Sequence, residues 1–183
     1  KEAAVKNNYD AWRKLLARPK GLGIGSQVKL MGVVKSNAYG HGLVPFAQLL
    51  EKLGVDYLGV DSIVEAVRLR EMGIKKDILV LGYTRPENLA SASEQGITLT
   101  ISTLENWRAL LNLNLKQVLK VHLKVDTGMH RQGFLMGDFE VLLKELPVPT
   151  EREGKVKIEG IYSHLAAASM SELANSVAAQ RQE

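Results

Sequence analysis

Hydrophobic residues recur along the chain in two patterns, and the elements that they predict alternate. Short apolar runs predict six strands, at residues 28–34, 57–60, 77–82, 97–101, 119–125 and 156–164. Apolar positions at helical spacing predict helices at 2–17, 44–53, 62–72, 86–95, 103–111 and 138–146, and then a polar helix at 171–182. Strand and helix alternate with short connections, which is the pattern of parallel βα units.

Two architectures are built from such units, a doubly wound open sheet and a (β/α)8 barrel. A barrel has eight strands and typically about 250 residues, whereas this chain has 183 residues. No linker or low-complexity stretch divides it. We therefore predict one α/β domain over residues 1–183, either an incomplete barrel of about six βα units or an open sheet.

Two of the helices are preceded by the pattern Ser-x-x-Glu, which predicts a capping box. The residues concerned are Ser62 with Glu65 and Ser102 with Glu105. Both serines closely follow a predicted strand, so each helix is expected to begin almost directly at the strand end.

Alternate residues of the strand at 119–125 are polar, although a parallel strand covered on both faces should be apolar on both. With a period of two, one face carries Lys120, His122, Lys124 and Asp126. Either this strand is exposed at a sheet edge, or it faces the polar interior of a barrel. In the sixth strand the same period predicts a shared face for Val156, Ile158, Gly160, Tyr162 and His164.

Lysine and histidine stand at the C-terminal ends of two predicted strands, where parallel α/β folds carry their chemistry. Lys35 ends the first strand and His164 ends the sixth. With Lys124 and Arg131, they are predicted to converge on one rim. A partly buried lysine beside other cations has a lowered pKa and can form a Schiff base with an aldehyde. The alternative is that Lys35 pairs with Asp126 or another carboxylate.

Composition narrows the classes of function. The net charge is +4, but the basic residues are scattered and aromatic residues make up only 5%, so we expect no nucleic-acid partner. The absence of cysteine excludes disulfides, thiolate catalysis and cysteine-based metal sites, and we expect no metal. No apolar stretch approaches the roughly 18 residues of a membrane span, so we expect no membrane partner.

Three segments together resemble the bacterial alanine racemases, which depend on pyridoxal phosphate. "VVKSNAYGHG" (33–42) is similar to the family's lysine motif, "HLKVDTGMHRQGF" (122–134) to its second signature and "GIYSHLAAAS" (160–169) to its third. They stand in the family's order, and the resemblance covers essentially the whole chain. It implies the N-terminal barrel portion of a cytoplasmic isomerase that interconverts L-alanine and D-alanine for cell-wall peptidoglycan.

The resemblance also implies roles for the matching residues. Lys35 would bind pyridoxal 5'-phosphate covalently and move the α-proton on one face of the substrate, and Tyr39 would hydrogen-bond the cofactor phosphate. Arg131 would lie near the cofactor's phenolic oxygen and the substrate carboxylate. Met129 would line the substrate site, and His164 would lie against the cofactor ring or its hydrogen-bond network.

Further implications concern parts of the family pattern beyond these residues. Lys124 matches the lysine that many members carry as a carbamate, which as an anion would orient Arg131. In the family, a tyrosine from a C-terminal β-domain of the partner subunit in a homodimer serves the second face of the substrate. We expect that domain to be absent from this chain, and we expect the isolated chain to be inactive or weakly active. His130 stands where glycine is common, which leaves a serine-racemising relative open.

Two alternatives to a racemase remain. One is a stand-alone pyridoxal-phosphate-binding homeostasis protein, a lone barrel without racemase activity, although that family lacks the "NAYGHG" and "DTGM-x-R" patterns. The other is an interaction protein that has kept the barrel and lost catalysis. Production of D-alanine by the intact gene product distinguishes the racemase from the homeostasis protein. Absorbance near about 420 nm from a lysine-bound cofactor, removed by borohydride and lost in Lys35→Ala, separates the interaction protein from both.

Overall fold

The computed structural model describes residues 1–17, 28–146 and 155–165. The chain divides into two compact units, Lys1–Leu81 and Gly82–Glu183. The predicted polar helix at 171–182 lies outside the described residues. No helix in the described part of the chain is long and apolar enough to cross a membrane.

The first unit contains parallel strands that pair in chain order. These strands are β1 (Met31–Val33), β2 (Tyr57–Val60) and β3 (Ile78–Val80). Its described helices are α1 (Glu2–Leu16), α2 (Lys35–Tyr39), α3 (Leu43–Leu53) and α4 (Ile63–Glu71). Leu58, Ile78 and Val80 from the strands are fully buried together with Leu69 of α4. Burying such a side chain contributes about 1.5–3 kcal/mol, so this apolar layer holds the strands and helices together.

The second unit is built in the same way. Its strands are β4 (Thr98–Ile101), β5 (Leu119–Lys124) and β6 (Val156–Tyr162), and β5 pairs in parallel with both of the others. A 3-10 turn (Pro86–Asn88) leads into α5 (Leu89–Glu94), and α6 (Leu104–Leu111) and α7 (Met136–Glu145) follow. Trp107, Phe134 and Leu142 are buried, as are Leu99 and Val121 of the strands. The apolar face of β4 and β5 is thus buried, whereas Ile158 and Ile161 of β6 are exposed, and the other face is left for polar residues.

The predicted alternation of strands and helices is confirmed within the described residues. The short element α2 was not predicted. For the other elements, apart from the start of β1, the boundaries lie within two residues of the predicted ones. β1 begins at Met31 instead of residue 28, because the Asp56 carboxylate accepts the Leu30 N–H at 2.7 Å and takes it out of the strand ladder. The strand therefore starts one residue after that contact.

One of the two predicted capping boxes is confirmed and the other is wrong. At α4, the Ser62 hydroxyl accepts the Glu65 N–H, and the Glu65 carboxylate accepts the Ser62 N–H. At α6, the capping residue is Thr103 instead of Ser102, and its hydroxyl accepts the Asn106 N–H at 3.1 Å. Threonine is itself a favourable N-cap, so the helix begins one residue later than predicted.

A bulge in β6 changes which of its residues share a face. Val121 pairs with Ile158, whereas His122 pairs with Gly160, so Glu159 is an additional residue in β6. One extra residue reverses the alternation, so Val156 and Ile158 lie on the opposite face from Gly160 and Tyr162. The predicted common face consisted of Val156, Ile158, Gly160, Tyr162 and His164. That prediction is wrong, because a period of two holds only along an unbroken strand.

Candidate active site

The lysine motif forms an unusual turn directly after β1. Residues 36–39, which are Ser, Asn, Ala and Tyr, have φ values between 53° and 55°. This is the left-handed region, which costs a residue other than glycine roughly 1–2 kcal/mol. Four such residues in succession store strain that the surroundings must offset, and strain of this kind clusters at functional sites.

Backbone hydrogen bonds hold the two ends of this turn. The Ala38 N–H donates to the Val34 carbonyl at 2.8 Å, and the His41 N–H donates to the Ala38 carbonyl at 3.0 Å. The Asn37 side-chain oxygen accepts the Leu43 N–H at 2.8 Å, at the start of α3. The turn is therefore anchored to β1 behind it and to α3 in front of it.

A carboxylate from α4 supports the turn from the side. One oxygen of Glu65, Oε1, accepts the Ser36 N–H at 2.8 Å, and the other, Oε2, accepts the Asp61 N–H at 2.8 Å. Oε2 also accepts the Ser62 N–H at 3.3 Å in the capping box. The residue after Lys35 is thus tied to the loop between β2 and α4 through one side chain.

Lys35 and Tyr39 lie at the two ends of the left-handed turn. The Lys35 side chain is 32% exposed, and its Nζ lies 3.4 Å from Asp61 Oδ1, a carboxylate that is itself 57% exposed. The alternative, in which Lys35 pairs with Asp126 or another carboxylate, is therefore present in its second form, with Asp61 as the partner. An ion pair at this distance that is open to water is weak. The Lys35 amine is therefore largely covered but not held away from a ligand. The Tyr39 ring is exposed.

The second unit brings together four of the residues that the sequence singled out. Lys124, Met129, Arg131 and His164 line one small pocket, together with Gln132. The remaining lining residues are Val125, Asp126 and Ser163. His164 is placed two residues beyond the end of β6 instead of at its last position. Two basic side chains, an imidazole and a thioether thus line one small depression.

Lys124 is a buried lysine on the polar face of the second unit. β5 lies between β4 and β6, so the interpretation of β5 as an exposed edge strand is wrong. Lys124 is only 5% exposed, and its Nζ donates to Gln132 Oε1 at 3.0 Å and lies 5.7 Å from the centre of the Tyr162 ring. Burial raises the pKa of the Tyr162 phenol, although its hydrogen bond with Thr100 opposes this. The phenol therefore stays neutral beside the lysine.

The loop that carries Arg131 is organised by Asp126. Oδ1 of Asp126 accepts the N–H groups of Gly128, Met129 and His130, each at 3.0 Å. Desolvation raises the pKa of Asp126, but these hydrogen bonds outweigh it and the pKa is lowered overall. His130 has a φ of 54°, a left-handed value for which glycine is the least strained residue and histidine one of the more tolerant. Arg131 follows it and is exposed.

Three residues around these sites had no predicted role in the chemistry. Glu65 was predicted only as a helix cap, and Gln132 stood inside the second signature without an assignment. Tyr162 was predicted only to share a face of its strand with four other residues, and nothing in the sequence showed that its hydroxyl would meet Thr100, 62 positions earlier. Its position inside the second signature was the available signal for Gln132; Glu65 and Tyr162 required the fold.

Comparisons with known proteins point to one family. The model described as "Alanine racemase, N-terminal domain" matches residues 1–183. "Alanine racemase 1" of Caldanaerobacter subterraneus subsp. tengcongensis is 45% identical over 168 residues, which cover 91% of this chain and 40% of that protein.

Solved structures give the same result at the level of the fold. The alanine racemase from D-cycloserine-producing Streptomyces lavendulae matches with a TM-score of 0.82 at 31% identity, over 99% of this chain and 45% of that one. A histidine racemase from Leuconostoc mesenteroides subsp. sake matches with a TM-score of 0.81 at 30% identity, over 99% of this chain and 46% of that one. The predicted fold class, an α/β chain of the racemase barrel type, is confirmed. The chain spans less than half the length of these relatives.

Proposed function

The chain belongs to the alanine racemase family through its N-terminal domain, and from this premise we propose that the protein is a pyridoxal-phosphate-dependent isomerase that interconverts L-alanine and D-alanine. The observation that carries the proposal is the Lys35 turn. It presents a lysine amine at the end of a parallel strand, two-thirds covered and held by a strained backbone. Chains keep such strain where a reactive group must be positioned.

The donor set fits pyridoxal 5'-phosphate. The cofactor carries an aldehyde, a phosphate and a phenolic oxygen, and the chain offers a primary amine at Lys35, a phenol at Tyr39 and a guanidinium at Arg131. Lys35 would hold the aldehyde carbon, Tyr39 the phosphate, and Arg131 the phenolic oxygen and the substrate carboxylate. His164 would lie against the ring. That Arg131 and His164 serve the same cofactor as Lys35 rests on the family resemblance.

The proposed reaction moves one proton at the substrate Cα. When bound, the cofactor's conjugated ring takes up the electron pair that is left at Cα. The Lys35 amine takes or returns the proton on one face, which a base within reach of that atom can do. The opposite face needs a second acid–base group, which in our proposal comes from the partner subunit of a homodimer. Met129 would line the space for the small alanine side chain.

We propose a carbamate at Lys124 as part of the same site. The lysine is buried among polar residues beside the loop of Arg131. A carbamate would form when the neutral Lys124 amine adds to carbon dioxide and releases a proton. It would replace a buried cation with an anion, which would orient the guanidinium of Arg131. Carbon NMR of the native protein, equilibrated with carbon-13-labelled carbon dioxide, tests this directly, because a carbamate loses carbon dioxide once the protein is unfolded or acidified. A cytoplasmic location and a role in supplying D-alanine for peptidoglycan belong to the same proposal.

The proposal is tested on the full-length protein. The wild type is expected to convert L-alanine into D-alanine and, after reduction with borohydride, to carry a pyridoxyl group on Lys35 by mass spectrometry. Lys35→Ala is expected to lose the adduct and to lower turnover by on the order of a thousandfold or more. The matched control is Lys52→Ala, at an exposed lysine near the C-terminal end of α3. We expect it to retain the adduct on Lys35 and the turnover of the wild type.

Two other outcomes have distinct meanings. An adduct on Lys35 without any D-alanine contradicts the racemase proposal and favours the stand-alone pyridoxal-phosphate-binding protein. A second candidate substrate is another amino acid, since one structural neighbour is a histidine racemase and His130 stands in the Arg131 loop. Racemisation of serine or histidine faster than alanine, measured in parallel assays, would favour that candidate.

A further inference from the structure

We propose that Glu65 is a positioning residue for Lys35, and that this role is separable from its role as a helix cap. The inference rests on the proposed function, in which Lys35 binds pyridoxal 5'-phosphate. The sequence accounts for Glu65 completely as the third residue of a capping box. The structure shows that only part of its carboxylate is used in that way.

The two oxygens of Glu65 have different partners. Oε2 accepts the N–H groups of Ser62 and Asp61, which are the cap residue and the residue before it. Oε1 accepts the Ser36 N–H at 2.8 Å, across 29 positions of sequence. A helix cap has no need of the Oε1 contact. That contact instead fixes the peptide that joins Lys35 to the left-handed turn.

This contact acts where the strained turn begins. Ser36 is the first of the left-handed residues, and Lys35 directly precedes it. The Ser36 N–H has a carboxylate as its acceptor, which makes a stronger hydrogen bond than a neutral acceptor does. Glu65 also holds the Asp61 backbone, and the Asp61 side chain is the ion-pair partner of Lys35. One carboxylate therefore positions both the lysine backbone and the residue that meets its amine.

A glutamine at this position separates the two roles. Capping boxes accept Gln as well as Glu, so the amide oxygen of Glu65→Gln can keep both bonds of Oε2. The amide nitrogen then lies where Oε1 was, and it opposes the Ser36 N–H as a second donor. The opposite change is Ser62→Ala, which removes the capping hydroxyl and leaves the carboxylate and its bond to Ser36 in place.

The experiment compares the full-length wild type with these two variants. The dissociation constant for pyridoxal 5'-phosphate is measured from the absorbance of the lysine-bound cofactor. Amide exchange at Ser36 is measured by mass spectrometry in cofactor-free protein, and the midpoint of thermal unfolding reports the cap. For Glu65→Gln we expect roughly tenfold weaker cofactor binding and faster Ser36 exchange, with an almost unchanged midpoint. For Ser62→Ala we expect a lower midpoint with unchanged cofactor binding and Ser36 exchange.

Each alternative outcome has one meaning. The wild type and Glu65→Gln could bind the cofactor with the same affinity and exchange the Ser36 amide at the same rate. Glu65 would then be only a cap, and this inference would be overturned while the proposed function stands. If Ser62→Ala weakens cofactor binding as much as Glu65→Gln does, the effect comes from the helix, and the positioning role is likewise overturned. A wild type that fails to bind the cofactor overturns both this inference and the proposed function.

Discussion

The Lys35 turn and the Arg131 loop both follow the C-terminal end of a parallel strand, but they are held in different ways. The Arg131 loop is organised from within, since Asp126 accepts three N–H groups two to four residues further along the chain. The Lys35 turn is braced from outside by Glu65, which is 29 positions away from Ser36. The comparison shows that two similar strand-end sites can depend on local and on distant contacts, respectively.

Strain is distributed differently in the two segments as well. The Lys35 turn contains four left-handed residues other than glycine, whereas the Arg131 loop has one, His130, and uses glycine at Gly128 and Gly133. In a loop that is held by its own residues, glycine can occupy the positions that need a positive φ. A turn held by a neighbouring helix can keep larger residues in strained positions, because the brace offsets the strain.

The largest effect is expected where the Arg131 loop closes on itself. A Cβ at Gly133 would lie 2.5 Å from the Asp126 nitrogen and 2.7 Å from the Val125 carbonyl carbon, both backbone atoms. We expect Gly133→Ala to lower the free energy of unfolding by about 3 kcal/mol, because the backbone has no room to move aside. Chemical denaturation of the purified variant measures this.

Gly40→Ala is the matched control in the Lys35 turn. Gly40 also has a positive φ, of 91°, but no atom lies within 4 Å of the place where its Cβ would be. We expect Gly40→Ala to lower the free energy of unfolding by only about 1 kcal/mol, because only the backbone conformation is unfavourable. Equal losses at both glycines would contradict the idea that the Arg131 loop depends on close internal packing.

A smaller effect with the opposite sign is expected in the Lys35 turn. Ser36 has a φ of 54°, so Ser36→Gly removes strain, although glycine also gains freedom in the unfolded chain. We expect a net gain of about 0.5 kcal/mol in the free energy of unfolding. The control is Ser91→Gly in the right-handed helix α5. We expect it to lower the free energy of unfolding by about the same amount. A loss at both positions would show that the turn is not strained at Ser36.

The smallest effect is a pH dependence confined to the Arg131 loop. The pKa of Asp126 is lowered from its usual value near 3.8, because the hydrogen bonds from His130, Gly128 and Met129 outweigh the effect of desolvation. The charged Asp126 carboxylate therefore stabilises the folded loop fully at pH values above the usual aspartate pKa. This stabilisation is lost as the pH falls through the lowered pKa. The chemical shift of the His130 amide, followed by NMR, should change in that acidic range.

Asp126→Asn is the control for this titration. The amide keeps one oxygen acceptor for the loop but has no proton to gain, so we expect the His130 amide to show no transition below the ordinary aspartate range. If the His130 amide of the wild type shows its transition at pH 3.8 or above, the three hydrogen bonds do not favour the charged carboxylate.

The candidate site was predictable from the sequence to the extent that its signals are local. The lysine motif, the second signature and the capping box at Ser62 each involve residues that are close together along the chain. Lys124, Met129, Arg131 and His164 were singled out in this way, and they line one pocket in the second unit. Their proposed roles on a cofactor rest on the family and await the experiments above.

What the sequence determined by itself is therefore the order of strands and helices, the cap of α4 and the positions of the strand-end residues. These follow from hydrophobic period and from contacts within a few positions, which a short stretch of chain encodes. The tertiary structure alone decided the bulge at Glu159, the burial of Lys124 and the second use of Glu65. Each of these depends on where a distant segment comes to lie, and that position is set only when the whole fold has formed.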